Sequence, residues 1–539
     1  MNVAEVAAPT VERVGSPLPQ AWRRSGLLTV SALVALTVVG AVLRVAVAHQ
    51  SLYADELATY WLITTHGFRG VISALYSTHD EITPPLSFLA FWVTAHLGHS
   101  PELVRLPSLL AGILTIPLVY LVGLRTIGRA GALVAAALTA FSPFMIYYST
   151  EARAYGLMMF LVTLSTLAML TAVDTRRARW WVLYGVCSCA AFYTHYTSMF
   201  VLAIQFLWLV WRHPEARRRA VLANICAIAA VLPWTGGLIN DFNSPTTKIL
   251  SALSPFTARA VGLDLEGWAL GYPYITSVDL TELPGTFAIV LLCCGVLAAS
   301  LGIATRSLRE GARSTLARVD DRVLLVIALA LATPLGEAIF SLISTHLFGV
   351  RNLASSWPPF ALSLAALLVS AGPRLRFVAV ALAVGSFVIG AAKMLDEKYQ
   401  RPNYGAPAAL IARQARPGDV VIDETGVISP GPLTPLDVAL HRPIDVVRAG
   451  APVERDHPFG FFDPIVPLQD AIREAVGAAR GARIFVVVYP SHQVKAFRER
   501  ATLVRLGSFP AGYRRVAVRV YPGIVDTVFA VYAERTRSS

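Results

Sequence analysis

Apolar residues gather in eleven runs, near 27–48, 104–124, 130–148, 155–173, 180–195, 197–212, 219–239, 285–305, 322–345, 355–372 and 376–394. Runs approaching roughly 20 residues predict helices that cross a membrane. A further apolar stretch, from Pro85 to Gly98, is only about 14 residues long and falls short of a span. The polar connectors settle its course. Arg125–Arg129, Arg176–Arg179, Arg212–Arg219, Arg306–Arg322 and Arg374–Arg376 are strongly basic, whereas 149–154, the surroundings of His195, 240–284 and 346–354 are not. If 85–98 does not cross, every basic connector lies on the cytoplasmic side, as positive-inside topology requires. The segment therefore reads as an interfacial or partly embedded helix, with the N-terminus inside. Between Ser51 and Pro85, Leu57, Tyr60, Trp61, Ile63, Phe68, Val71, Ile72 and Leu75 recur at helical spacing, a pattern suited to helices lying on a membrane surface.

Residues 395–539 change character, with charge, Pro and Gly punctuating short β-rich runs. Val420–Asp423 and Arg483–Tyr489 predict buried strands, Gln469–Ala479 and His492–Ala501 helices, and Val516–Tyr521 with Thr527–Tyr532 a closing antiparallel pair. The expected organisation is a disordered cytoplasmic tail over 1–26, a transmembrane domain over 27–395 with an external loop at 49–103, and an extracytoplasmic α/β domain over 396–539. This tail reads as a binding module or a cap, since no Walker loop, GxGxxG, HExxH or GxSxG motif occurs in it.

Composition agrees with the pattern. Of 539 residues, 55% are hydrophobic and 15% charged, with a mean hydropathy of +0.57, against about 25% charged in soluble domains. The class is a polytopic α-helical membrane protein in contact with membrane lipids. The net charge of +12 comes from arginines in the short connectors, which explains it without nucleic acid. All 5 cysteines lie inside apolar runs, so neither a disulfide nor a cysteine zinc site is predicted in the soluble segments.

With this topology the unusual polar residues collect on the outer side: Asp55-Glu56, His79-Asp80-Glu81, the run Tyr147–Tyr155 with Glu151 and Arg153, His195-Tyr196, and His346 to Arg351-Asn352. Glu337 lies within the run 322–345. Ionisable groups at or inside a membrane are expensive and mark functional candidates. Each has a plainer reading too: Glu151 and Arg153 as a solvated turn, His195 as a packed interfacial ring, Arg351 as a lipid anchor, Glu337 as half of a structural pair. Asp80, Glu81, His195 and His346 could bind a divalent cation, though no spacing among them demands one.

Asp55-Glu56 after the first run, Pro84-Pro85-Leu86, Leu103–Ser108, the basic turn Arg125–Arg129 and the stretch Tyr147–Tyr155 occur in an order that resembles bacterial membrane glycosyltransferases of the C-type fold (GT-C). The branch is the one related to protein O-mannosyltransferases and lipid A aminoarabinose transferases, and the resemblance spans about residues 27–395. It implies a GT-C-like transmembrane domain of about eleven helices. It also implies transfer of a hexosyl or pentosyl group from a polyprenyl monophosphate carrier to an envelope glycan, lipid or protein outside the cytoplasmic membrane. By the same resemblance Asp55 is the base with Glu56 beside it. An acceptor hydroxyl must lose its proton as it attacks, which suits a positioned carboxylate. The departing lipid phosphate suits guanidinium groups, for which Arg153 and Arg351 are the candidates; Asp80, Glu81, Glu151, His195, Glu337 and His346 are further substrate or metal candidates. Two positions depart from the relatives: Thr83 stands before Pro84 in place of a lysine, and Asn352 follows Arg351 where tyrosine is frequent. A transporter or flippase is the alternative, but no symmetry between the halves of the chain supports it.

Overall fold

The computed structural model describes residues 20–535 apart from 78–80, 248–250, 252–255, 272–273, 275–284, 311–319, 428–430, 454–463 and 489–507. Asp80, the helix expected at His492–Ala501 and residues 1–19 of the tail lie outside the described residues. The first helix runs from Gln20 to Ala48, so it begins inside the segment expected to be disordered.

All eleven apolar runs are helical. Among the described residues eight helices are long and apolar enough to cross a membrane: Leu27–Ala48, Leu106–Thr126, Ala154–Thr175, Arg217–Asn243, Thr286–Arg309, Asp321–Ile343, Val350–Val369 and Leu375–Lys393. A ninth, Gly128–Phe141 with Pro143–Ser149, is bent by 58°. Ala178–Thr194 and Ser198–Arg212, at 17 and 15 residues, are shorter than a full span. Leu86–Ala95 has 10 residues. At 1.5 Å per residue it covers about 15 Å, half a hydrocarbon core, as the interfacial reading requires.

The bend has a chemical cause that also places the site. Pro143 has no N–H, so the carbonyl of Thr139 loses its helical partner. Buried Arg44 in the first helix fills that role, donating from Nη2 to Thr139 at 3.0 Å and from Nη1 to Ala140 at 3.2 Å. Ser142 caps the new segment by accepting from the Met145 N–H at 3.2 Å. Glycines then let the segment Pro143–Ser149 sit close to its neighbours. A Cβ on Gly112 would lie 2.0 Å from Ser149 Oγ, and one on Gly156 would lie 2.9 Å from the Tyr148 carbonyl. This packing fixes the turn 150–153 that follows.

Around the helices Leu106–Thr126, Ala154–Thr175, Trp357–Val369 and Leu375–Lys393 lies one continuous apolar core. The basic connectors meet at one end of the bundle: Arg125 and Arg322 share Asp174, Arg219 donates to the Arg176 carbonyl at 2.6 Å, and Arg212 pairs with Asp321.

The C-terminal region forms a five-stranded mixed sheet, β1 (Val420–Asp423), β2 (Asp445–Arg448), β3 (Ile484–Val488), β4 (Tyr513–Tyr521) and β5 (Thr527–Glu534), in the order β2-β1-β3-β5-β4. β1 runs parallel to β2 and β3, and β5 is antiparallel to β3 and β4. The helix Leu468–Ala479 covers one face through Ala471, Ile472 and Ala475; Ala408, Ile411 and Leu436 cover the other. Coverage of both faces is why β1 and β3 read as continuous apolar runs.

Candidate active site

At the end of the bundle opposite the basic connectors, four carboxylates and four guanidiniums meet. They come from six separate stretches of chain, around residues 55, 81, 105, 151, 351 and 401. Asp55 precedes the helix Glu56–Thr65, and the residue before it, Ala54, holds a left-handed φ of 52°. A non-glycine residue in that region is strained, and the strain falls at the base of the expected catalytic pair.

The two adjacent carboxylates have different surroundings. Asp55 is 26% exposed and accepts from Arg351 Nη1, from the turn Val350–Ser356, 296 residues away. Burial alone would raise its pKa, but the Arg351 and Arg153 charges and the Arg351 hydrogen bond outweigh it and hold the carboxyl below its ordinary range. Glu56 is fully buried. It takes a bidentate contact from Arg105, with Nε and Nη2 both at 2.7 Å, and the backbone N–H groups of Ala152 at 2.8 Å and Tyr53 at 3.2 Å. Burial again opposes ionisation, and Arg105 with Arg401 reverses it, so this carboxyl too is held low.

Arg105 uses all five of its N–H donors: two reach Glu56, two reach the carbonyls of Ala48 and Gln50 at 2.7 and 2.5 Å, and one reaches Ser51 at 3.0 Å. It therefore ties the end of the first helix to Glu56. Arg153 is held in a fork by Glu81, at 2.7 and 3.1 Å, with Thr59 Oγ1 at 3.3 Å and Thr83 Oγ1 at 3.4 Å, and its guanidinium lies over the Phe88 ring. Thr83 thus supplies a neutral contact to an arginine. The Arg153 Nε is buried without a partner among the described residues.

Glu151 and Arg401 complete the group. The turn 150–153 buries Glu151 to 8% exposure, and its Oε2 has no hydrogen-bond partner among the described residues. Burial, followed by repulsion from Glu56, pushes its pKa up to about 7. Arg401, just beyond the last span, is 4% exposed, lies 4.6 Å over the Tyr147 ring, and reaches Glu56 Oε2 at 3.7 Å through Nε. Its segment is fastened to the first loop: Gln50 Oε1 accepts the Arg401 N–H at 3.1 Å, and Ser51 Oγ accepts those of Tyr404 and Gly405 at 3.1 and 3.3 Å.

His195 lies beside this group. Its Nδ1 is 2.9 Å from Thr197 Oγ1 and its ring 5.3 Å from that of Tyr155, which in turn meets Tyr148 at 5.1 Å. Burial, with Arg153 and Arg351 nearby, pushes its pKa down to about 3, so the imidazole is neutral. The remaining candidates stand apart. Glu337 is buried inside its span with Oε2 unpartnered among the described residues, and no ion pair joins it to the group. His346 binds the Ser341 carbonyl at 2.8 Å and stacks on Phe256. Among the described residues no three His, Cys, Asp or Glu side chains converge as metal ligands.

Sequence reasoning singled out six of the eight charged members but missed the roles of Arg105 and Arg401. A lone arginine between Val104 and Leu106 carries a signal, since an unpaired charge inside an apolar stretch implies a buried partner. Arg401 carries none, being one of many arginines in a soluble segment.

Residues 83–236 match the family model of dolichyl-phosphate-mannose-protein mannosyltransferases. No curated protein sequence is similar enough to register as a relative. Several solved membrane enzymes are similar in structure. ArnT from Cupriavidus metallidurans, bound to undecaprenyl phosphate, is 14% identical with a TM-score of 0.48, over 95% of this chain and 98% of that one. The Archaeoglobus fulgidus oligosaccharyltransferase tethered with an acceptor peptide is 13% identical with a TM-score of 0.48, over 86% of this chain and 69% of that one. Arabinofuranosyltransferase AftD from Mycobacteria is 15% identical with a TM-score of 0.41, over 97% of this chain and 40% of that one. Such loose likenesses transfer no residue roles, which rest on this chain's own geometry. The family match covers Thr83–Pro85, Arg105 and the run Tyr147–Tyr155, and it agrees with the resemblance those motifs carry: the chain is similar to membrane glycosyltransferases of the GT-C type.

Proposed function

We propose that the protein transfers a glycosyl group from a polyprenyl monophosphate carrier to a hydroxyl of an envelope glycan, lipid or protein, at the outer face of the cytoplasmic membrane. The observation that carries this reading is the Asp55–Arg351 pair. It sets an ionised carboxylate against a partly exposed guanidinium at the end of the bundle away from the basic connectors. The positive-inside rule makes that end extracytoplasmic. The family match over residues 83–236 supports the same chemistry.

In this mechanism the acceptor oxygen attacks the anomeric carbon and its proton passes to the Asp55 carboxylate. The bond from that carbon to the phosphate oxygen breaks, and the bonding pair leaves with the carrier phosphate. Arg351 is the group placed to neutralise that phosphate, with Arg153 behind it. The pairing also sets an order. While Arg351 holds Asp55, the carboxylate is a weak base; a phosphate engaging Arg351 competes for the guanidinium and returns basicity to Asp55 when the donor is in place. Glu56, locked by Arg105 and Ala152, positions Asp55.

Full-length protein reconstituted in liposomes with undecaprenyl phosphate esters of mannose, glucose or arabinose and an envelope extract should release undecaprenyl phosphate and label the extract. Uptake of the donor without transfer would overturn the reading in favour of a transporter. EDTA added to the same assay decides whether a divalent cation takes part. A reporter fused at Ser77 or after Lys398 should appear outside; a cytoplasmic signal at either would reverse the assigned orientation.

A further inference from the structure

The eight charges of the site do not pair off evenly. Asp55 is matched to Arg351, Glu56 to Arg105, and Glu81 to Arg153. Glu151 and Arg401 have no such close match: Arg401 reaches only Glu56 Oε2, at 3.7 Å, a carboxylate already held by Arg105, and both residues are more than nine-tenths buried. Glu151 Oε2 and Arg401 Nε and Nη2 have no hydrogen bond among the described residues. Buried polar atoms without partners are costly, roughly 1–3 kcal/mol each and more when charged, so a protein keeps such a set for something that binds it.

The two groups share one neighbourhood. The Ala152 N–H, one residue beyond Glu151, donates to Glu56 Oε1 at 2.8 Å, and Arg401 Nε lies 3.7 Å from Glu56 Oε2. Glu151 also feels Asp55 and Arg153 electrostatically, and Arg351 feels Glu151. Both groups therefore lie close to the Asp55–Arg351 pair. Tyr148 and Tyr155 are electrostatic neighbours of Glu151 and Arg351, and ring contacts join them to His195.

The chemistry of the pair selects a class of ligand. A phosphate here would meet the carboxyls of Glu151 and Glu56 as well as Arg401, so this corner suits an anion less well than the Arg351 side does. A neutral ligand bearing hydroxyl groups fits better. Each hydroxyl can donate to the carboxyl oxygen and accept from the guanidinium N–H groups, while aromatic rings border its C–H surface. We infer that Glu151 and Arg401 form the subsite that hydrogen-bonds the hydroxyls of the sugar being transferred, with Arg401 delivered by the segment entering the C-terminal domain. This rests on the reading of Asp55 and Arg351 as the reacting centre. It makes that segment part of donor recognition.

The test compares binding of bare undecaprenyl phosphate with binding of its mannose, glucose and arabinose esters, using full-length protein in nanodiscs. In the parent at least one ester should bind more tightly than the bare carrier. Arg401→Gln and Glu151→Leu should each reduce that gain by about tenfold or more, as expected for hydrogen bonds to charged groups, while affinity for the bare carrier changes less than about threefold. That retained affinity reports a folded site. Arg401→Lys, which keeps the charge but loses the fork, should recover only part of the gain. If the gain survives in both variants, or no ester gains in the parent while the bare carrier binds, the subsite is overturned and the donor assignment stands. If the parent binds neither bare carrier nor ester, the donor assignment falls and the subsite with it.

Discussion

The two ends of the helix bundle are built from the same residue types and do different things with them. At the connector end, Arg125, Arg322 and Asp174 are 27–34% exposed, and Arg212 and Asp321 are 38% and 50% exposed. Pairs of this kind contribute about 0–1 kcal/mol, and their arginines serve mainly to orient the chain in the membrane. At the site end, Glu56 and Arg105 are fully buried, and Arg153 and Glu81 nearly so. Desolvation there is severe, and the close forked hydrogen bonds within these two pairs offset it. Burial sets the supporting pairs of this end apart from the connector pairs, while Asp55 and Arg351, at 26% and 38% exposed, stay open beside them.

The sharpest way to break this contrast is at Asp55, the carboxylate proposed as the base. Asp55→Asn should lower transfer by at least about a hundredfold, since general-base assistance is typically worth 10²–10⁴. Steady-state transfer in proteoliposomes checks it, and a rate near the parent's would remove Asp55 from the role of base. Next in size is the buried pair. Arg105→Met leaves Glu56 ionised without its main partner and should cost about 3–5 kcal/mol, whereas Arg105→Met with Glu56→Leu should recover much of that loss; chemical denaturation in detergent measures both. Equal losses in the single and double variants would show that the pair matters for more than its charges.

A pH experiment sharpens the comparison further. Glu151 is pushed up to about 7 in the folded protein, above its value when unfolded. Between the ordinary glutamate range and about 7 the folded state holds a proton that the unfolded state has lost, so this group's contribution to stability falls as pH rises through that window. Glu151→Gln should therefore raise the melting temperature at pH 8, with the advantage vanishing toward pH 5. A constant offset across that range would mean that Glu151 does not titrate there. The smallest effect belongs to the connector end, where Asp174→Asn should shift stability by no more than about 1 kcal/mol and less at high salt.

Much of this architecture is written in local patterns. Runs of apolar residues placed the helices of the bundle but not Ala258–Leu270 in the connector 240–284, the alternation of basic connectors kept Leu86–Ala95 out of the count of spans, and continuous apolar runs identified β1 and β3. Asp55, Glu56, Arg153 and Arg351 stood out because charges beside apolar runs are costly. What local pattern could not carry is pairing. That Arg153 faces Glu81, that Arg351 faces Asp55, and that Glu337 and His346 stand apart are facts of packing between distant segments. The C-terminal region shows this limit most clearly. Its composition marks an independent domain, yet Arg401 at its entrance is as buried as the spans themselves.

The contacts from Gln50 and Ser51 to residues 401–405 cross about 350 positions of sequence. A ribosome delivers the chain in order, so the first helix and its loop enter the membrane long before their partners exist. The turn that holds Asp55 has to wait, with the side chains of Gln50 and Ser51 lacking these partners, until nearly three quarters of the protein has been made. Completion of the site is thus among the last events of biosynthesis. A chain cut short before residue 401 would thread its helices correctly and still lack the fastening that closes its first loop.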